Sequence, residues 1–306
     1  MSGLLRISAR ALGLLLVCAA CGATASQPAS DSGANNTGTS KTGSIVSVDG
    51  ALTEIVYALG AEQRLLGVDT TSLYPAAAQQ LPQVGYMRAL SAEGILSLRP
   101  ATVLASRDAG PAVVFDQLSA AGVQVVRIST DDSAAGVADK IRQVAQALDI
   151  PVQGEALATQ VLADTQRVLD AIPDGESPRT LFLMGAGGRG LMAAGSATRA
   201  QALLSMTGAH NVLAHQGYKP VNAESALQAA PEVVLVGQTG AMATDSLQPL
   251  LAMTPAAQNA RVHGLDAGLI LGFGPRLPEA LSAVLPLLYP QVAGRWAPAA
   301  LATVPD

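Results

Sequence analysis

From Ile45 onward, apolar and polar positions follow two rhythms. Ile45-Val46-Ser47-Val48 reads as a short strand, and Gly50 opens a helical stretch with Leu52, Ile55, Val56 and Leu59 on one face, stopped by Gly60. Leu65-Leu66-Gly67-Val68, Val103-Leu104-Ala105 and Val123 to Ile128 predict three more strands, each separated by helical patterns. Strands alternating with helices indicate parallel α/β organisation. From Ser133 to Ile172 the pattern is helical with one break at Ile150-Pro151, where a proline suits a helix start. Its second piece carries Leu157, Val161, Leu162, Val168 and Leu169, and Pro173-Asp174-Gly175 ends it. Thr180 to Met184 and Val233 to Val236 predict strands again, and Leu269 to Leu271 reads as one more. The expected organisation is a β/α lobe over 45–149, an interlobe helix over 150–173 and a second β/α lobe over 178–306.

The two lobes share a segment. Gly85-Tyr86-Met87-Arg88-Ala89-Leu90-Ser91-Ala92-Glu93 continues to Ile95-Leu96, Pro100 and Val103-Leu104. Gly217-Tyr218-Lys219-Pro220-Val221-Asn222-Ala223-Glu224 continues to Ala226-Leu227, Pro231 and Val234-Leu235. Glutamate to proline is seven residues in both copies, and glutamate to the strand leucine is eleven. Leu59-Gly60-Ala61 and Thr207-Gly208-Ala209 correspond upstream. Two similar lobes on one helix form a clam, whose cleft is the natural place for a ligand.

The N-terminus changes the compartment. Arg6 and Arg10 precede Ala11 to Ala20, an apolar stretch too short to span a bilayer, so residues 1–25 read as an export segment. Ala23-Thr24-Ala25 fits a cleavage site for a soluble exported protein, whereas Cys18-Ala19-Ala20-Cys21 resembles a lipobox with Cys21 as the lipidated first residue. The polar tether over 26–44 favours the second exit, because it would hold the folded part off a membrane. Either exit puts the protein outside the cytoplasm. Cys18 and Cys21 are the only cysteines, so the mature chain has no internal disulfide and no cysteine metal cluster.

Composition excludes several functions. Only 13% of the 306 residues are charged and 49% are hydrophobic, enough for a substantial core. Without Arg6 and Arg10 the mature chain has 16 basic against 23 acidic residues, a net charge of −7. No basic block and few aromatics argue against nucleic acid as a partner. His210, His215 and His263 lack zinc-site spacing and read as solvated or core residues. Gly185-Ala186-Gly187-Gly188-Arg189-Gly190 matches a dinucleotide fingerprint, but Leu191 to Gly195 reads as a loop and no acid lies between Glu176 and Glu224. No nucleophile or phosphate-loop motif is present either, so the chain does not read as an enzyme. An exported enzyme on this scaffold would instead show turnover and cofactor dependence.

Among the tyrosines, Tyr57 and Tyr289 fall in apolar patterns and read as packing. Tyr74 lies in Asp69-Thr70-Thr71-Ser72-Leu73-Tyr74-Pro75, in the loop at the carboxyl end of a strand, the edge that faces a ligand crevice in such folds. A tyrosine there can ligate ferric iron as phenolate. Ionising a phenol of pKa near 10 at pH 7 costs about 4 kcal/mol, which iron and a nearby guanidinium must offset. Arg88 and Arg276 are loop arginines able to supply that charge or to pair with propionates. On the chemistry alone, a surface cap is the stronger reading of a lone loop tyrosine.

The runs Leu52 to Gly60, Gly67 to Pro75 and Gly85 to Gly94, extended by Gly217-Tyr218-Lys219-Pro220 and Gly272-Phe273-Gly274-Pro275-Arg276, closely resemble the haem-binding proteins of bacterial haem ABC importers. The resemblance covers about residues 45–290. It implies a class III periplasmic binding protein, two Rossmann-like, chelatase-like β/α lobes on a single long helix. It implies haem b as transported ligand, with Tyr74 as axial iron ligand and Arg88 and Arg276 beside it. It also implies that Glu93 and Glu224 dock into an ABC permease dimer, a two-fold partner that suits a pseudo-two-fold chain. Without the resemblance, each glutamate is a helix-start acid favoured by the dipole. The expected protein is a monomer in the periplasm or at the outer face of the inner membrane, fed by an outer-membrane haem receptor system. Some relatives hold a second haem through a histidine, for which His215 is the candidate here. The alternative on the same fold is a receptor for cobalamin or a ferric siderophore.

Overall fold

The structure, a computed structural model, describes residues 43–185, 191–239 and 247–293. The export segment with Cys18 and Cys21, nearly all of the tether, most of the glycine-rich 185–190 stretch and Trp296 lie outside the described residues.

The first lobe runs β1 (Ile45–Val48), α1 (Gly50–Ala58), β2 (Leu65–Val68), α2 (Ala92–Ser97), β3 (Thr102–Ser106), α3 (Ala112–Ala120) and β4 (Gln124–Ile128). Its four strands are all parallel, in the order β2-β1-β3-β4. A single residue, Asp49, turns β1 into α1, and its carboxylate caps the helix by accepting from Ala51 N at 2.9 Å. That turn holds Asp49 at φ 123, a backbone region most side chains avoid. The chain then crosses through α4 (Ala134–Ala147) and α5 (Pro151–Leu169). Ser133 caps α4 by accepting from Gly136 N at 3.0 Å, and Pro151 starts α5, whose 19 residues span about 28 Å. The two helices pack closely at Gly154, where a Cβ would collide with that of Ala145.

The second lobe comprises β5 (Arg179–Gly185), β6 (Leu191–Ala194), α6 (Arg199–Met206), β7 (His210–Asn211), β8 (Tyr218–Pro220), α7 (Ala223–Ala229), β9 (Val233–Gln238), α8 (Gln248–Leu251), α9 (Pro255–Gln258), β10 (Val262–Asp266), α10 (Ala267–Gly272) and α11 (Leu277–Leu288). Its sheet order is β10-β9-β5-β6-β8, with β7 against the start of β5. Two sequence expectations are corrected. Residues 191–194 form a strand antiparallel to β5 and β8, because their backbone finds ladder partners on both sides that a local pattern does not show. Leu269–Leu271 is helical: the Asp266 carboxylate accepts from Leu269 N at 2.8 Å, and Ala267, Ile270 and Leu271 are buried at helical spacing. The neighbouring strand is β10, read past because His263 and Asp266 interrupt its apolar pattern.

The shared segment is structural as well. Ser91 caps α2 and Asn222 caps α7, each two residues before the glutamate. Six residues after it, Arg99 at φ 52 and Ala230 at φ 44 turn the chain into Pro100 and Pro231. The strands that follow, β3 and β9, lie beside β1 and β5, the first strand of each lobe.

Burial explains how the lobes hold together. The largest apolar cluster contains Ile45, Leu52, Ile55 and Leu104 of the first lobe, Ile141, Val144 and Val161 of the crossing helices, and Phe182, Leu203, Leu235 and Leu281 of the second. Smaller clusters around Val46, Ile95 and Leu118, and around Leu181, Leu183 and Val236, fill the outer faces of the sheets. A core continuous through the waist opposes large lobe rotation, since opening it would expose closely packed apolar surface.

Candidate functional site

Tyr74 lies half-buried in the loop that follows β2, at the carboxyl edge of the first sheet. That loop is built on Asp69, which is fully buried. One carboxylate oxygen accepts from Asp49 N at 3.0 Å and Ser72 Oγ at 2.9 Å; the other accepts from Thr71 N at 3.0 Å and Thr71 Oγ1 at 2.6 Å. Thr53 Oγ1 of α1 lies 2.7 Å from Ser72 Oγ and 2.9 Å from Ser47 Oγ, tying the loop to helix and strand. Close approach requires Gly50, because a Cβ there would lie 2.6 Å from Thr71 O. The adjoining loop is laced alongside by Thr70 N to Gly85 O at 3.0 Å and Val84 N to Val68 O at 2.9 Å. The two loops leave Leu73 and Tyr86 about half exposed, an apolar surface beside the phenol.

The second lobe reaches this loop through Arg276 at the start of α11. Its guanidinium carbon lies 3.7 Å from the centroid of the Tyr74 ring, a cation–π distance. Nε and Nη2 of the same group donate to Glu54 of α1 at 3.0 and 2.5 Å, a bidentate pair between the lobes. Burial raises the Glu54 carboxyl above its ordinary value, opposed by the hydrogen bond and charge of Arg276. Burial would lower Arg276, but its bond to Glu54 and the surrounding acidic charge outweigh that and raise it. Both Glu54 oxygens accept from a guanidinium that keeps its proton, the geometry of a paired carboxylate.

Two further ties cross the waist. Arg199, the first residue of α6, lies 3.7 Å from Asp49, 3.4 Å from Asp108 and 3.5 Å from Asp132, three acids at the carboxyl ends of β1, β3 and β4. Lys140 of α4 is buried and donates to Phe273 O at 2.8 Å, satisfying a carbonyl in the turn that leads to Arg276. Burial lowers the Lys140 ammonium below its usual value.

Of the residues expected at the site, Tyr74 and Arg276 are brought into contact, and Arg88 is exposed in the adjoining loop. Glu93 and Glu224 are exposed in the first turns of α2 and α7. The His215 ring is part-buried, with Nε2 3.2 Å from Ala193 O of β6. Tyr218 is half-buried, and desolvation raises its phenol. Cys21 lies outside the described residues. Among the described residues, no group of three His, Cys, Asp or Glu side chains could hold a metal ion, and no helix is long and apolar enough to cross a membrane.

The residues that sequence reasoning passed over are Glu54, Asp69, Arg199 and Lys140. A signal existed for two of them. Glu54 interrupts the apolar face of α1 beside Ile55, and Lys140 adjoins Ile141 and lies one turn after Val137, so each had to find a buried partner. Arg199 and Asp69 carry no such mark, because their partners are distant in sequence or lie within an unremarkable polar run.

Two β/α lobes on a helical crossing, with Tyr74 and Arg276 meeting between them, are the architecture of a two-lobed binding protein. The chain belongs to the periplasmic binding protein family, whose model matches residues 45–269. It is similar to the periplasmic heme-binding protein RhuT from Roseiflexus sp. RS-1 in apo form: 37% identity, covering 81% of this chain and 98% of that one, TM-score 0.75. It is also similar to the periplasmic heme-binding protein BhuT in complex with two hemes: 41% identity, covering 80% and 97%, TM-score 0.74. A vitamin B12-binding protein of Yersinia pestis (strain Pestoides F) is 26% identical over 64% of this chain and 69% of its own length.

Proposed function

We propose that this protein is an exported receptor that takes haem b between its lobes, with Tyr74 as axial ligand to the ferric iron, and hands it to an inner-membrane ABC importer. The observation that carries the reading is the Tyr74 phenol itself, held by the Asp69 network below and the Arg276 guanidinium above, beside exposed Leu73 and Tyr86. Iron(III) favours an anionic oxygen ligand, and a fixed cation against the ring favours the anionic form. Exposed Arg88 is free to meet a propionate, while two donors of Arg276 are already engaged by Glu54. Higher identity to named heme-binding proteins than to the vitamin B12-binding protein supports haem over a corrinoid.

In this reading Glu93 and Glu224, at matched places on the two lobes, each meet a basic pocket of a two-fold permease. Lipidation at Cys21 would leave the tether as leash. The receptor performs no chemistry on its cargo; recognition rests on one iron bond, apolar contact and a few charges.

The test is a haemin titration of the chain from Ser26 onward, beside Tyr74→Phe. A saturable complex with high-spin ferric tyrosinate bands that disappear in the variant is expected, and its endpoint gives the number of haems bound. A receptor for cobalamin or a ferric siderophore would be indifferent to Tyr74→Phe, and haemin would bind it weakly without saturation.

A further inference from the structure

The guanidinium that lies over the Tyr74 ring is itself held by Glu54. The Arg276 guanidinium carbon lies 3.7 Å from the centroid of the Tyr74 ring. An arginine side chain has four flexible torsions, so a stacked position persists only if something else fixes the plane. Glu54 supplies that constraint. Its two carboxylate oxygens take Nε and Nη2, the one pairing that sets both the position and the plane of the group. Glu54 is itself immobile, with a side chain only 9% exposed on a helix buried along this face. Space around it is limited as well: a Cβ at Gly274 would lie 3.3 Å from Glu54 Oε2 and 3.5 Å from Ala51. The guanidinium of the second lobe thus has its edge on Glu54 and its face on the Tyr74 ring, both of the first lobe.

We infer that Glu54 is a positioning residue for the Tyr74 ligand: by fixing the Arg276 plane over the ring, it aims the phenol at the cleft before any ligand arrives, and it makes that aim depend on the lobes being together. The inference rests on the haem reading above. A free loop tyrosine samples several rotamers, and each lost on binding weakens affinity; a ring already clamped avoids that loss. The same residue thus has two consequences, one for lobe adhesion and one for ligand geometry, and only the second is visible in the iron spectrum.

The experiment compares wild type, Tyr74→Phe, Glu54→Gln and Arg276→Lys by haemin titration, absorption and electron paramagnetic resonance, with melting curves recorded alongside. Glu54→Gln preserves shape but not the charged fork, and Arg276→Lys preserves charge but has no flat face. Both are expected to bind haemin about tenfold more weakly, the order of one charge-assisted hydrogen bond, and to give a mixed ferric signal in place of a single tyrosinate species. Glu54→Asp, which keeps the charge one methylene short, is expected to recover part of the tyrosinate signal. If Glu54→Gln and Arg276→Lys melt lower yet keep the wild-type spectrum and affinity, the pair only joins the lobes and the inference is overturned. Should Glu54→Gln not fold, the spectrum of Arg276→Lys alone decides between the same two results. Failure of the haem reading looks different: Tyr74→Phe would then leave the wild-type haemin response unchanged.

Discussion

The two lobes solve the same passage, from first strand to first helix, in different ways. In the first lobe Asp49 alone separates β1 from α1, so the loop after β2 can lie directly on the helix start at Gly50. In the second lobe, β6 intervenes between β5 and α6, and β8 pairs with β6. The first lobe consequently has a carboxyl edge stiffened from within by hydroxyls and the Asp69 carboxylate. The second instead contributes cations outward: Arg199 from α6 and Arg276 from α11 reach Asp49, Asp108, Asp132 and Glu54 of the first. Similar sequence segments have thus been assembled into complementary halves, acidic on one side of the waist and basic on the other. Tyr74 stands at that seam.

The largest effect should come from the stiffened edge. Asp69→Ala removes the acceptor of four hydrogen bonds at a fully buried position, leaving Asp49 N, Thr71 and Ser72 to find new partners. We expect a loss of about 3 kcal/mol or more in denaturant unfolding, together with loss of haemin binding. A cost under about 1 kcal/mol would mean that the loop repacks readily and that the first lobe is no stiffer than the second.

Next comes the cation side of the comparison. Arg199→Met should cost about 1 kcal/mol, because nearly inaccessible Asp49 loses its guanidinium while Asp108 and Asp132 keep Arg107. Combining Arg199→Met with Asp49→Asn should recover part of that loss, since the unpaired charge goes with it. If the combination is additive instead, Arg199 acts by packing, and the account of charge across the waist is wrong.

Much of this architecture is legible in the sequence. The Ala-Glu to Pro spacing announced α2-β3 and α7-β9 because helix caps, left-handed ends and strand entry are all set by short-range chemistry, at Ser91, Asn222, Arg99 and Ala230. A ligand role for Tyr74 came only with the family resemblance, while its position after a strand was legible. The strand at 191–194 was not, since its partners β5 and β8 are set by tertiary pairing, and the apolar run at 269–271 fits helix and strand equally until Asp266 caps it. Glu54 and Arg276 lie 222 residues apart, and no periodicity connects them. What a local pattern cannot express is a contact between lobes, and the site is made of such contacts.

The smallest effect on the isolated protein is expected at the two places where the lobes are most alike. Glu93 and Glu224 are exposed, each in the first turn of a short helix, so Glu93→Ala and Glu224→Ala remove only a dipole interaction and should leave stability within about 0.5 kcal/mol. Haemin affinity and spectrum should not change, because neither side chain belongs to the Tyr74 loop or to the ties across the waist. Delivery should. In liposomes carrying the cognate importer, each single variant is expected to slow haemin uptake by a similar factor, and the double variant to slow it further than either. A double variant that delivers at the wild-type rate would remove the docking role altogether. Unequal single variants would keep it but show that the permease distinguishes the two lobes. That result would be informative in its own right, because the helices are matched in cap, spacing and exit while the surfaces around them are not: Leu227 beside Glu224 is 45% exposed, whereas Leu96 beside Glu93 is half-buried. Exchanging the apolar neighbour, with Leu227→Ala, would then tell whether the asymmetry lies in the glutamate contact or in the apolar surface next to it.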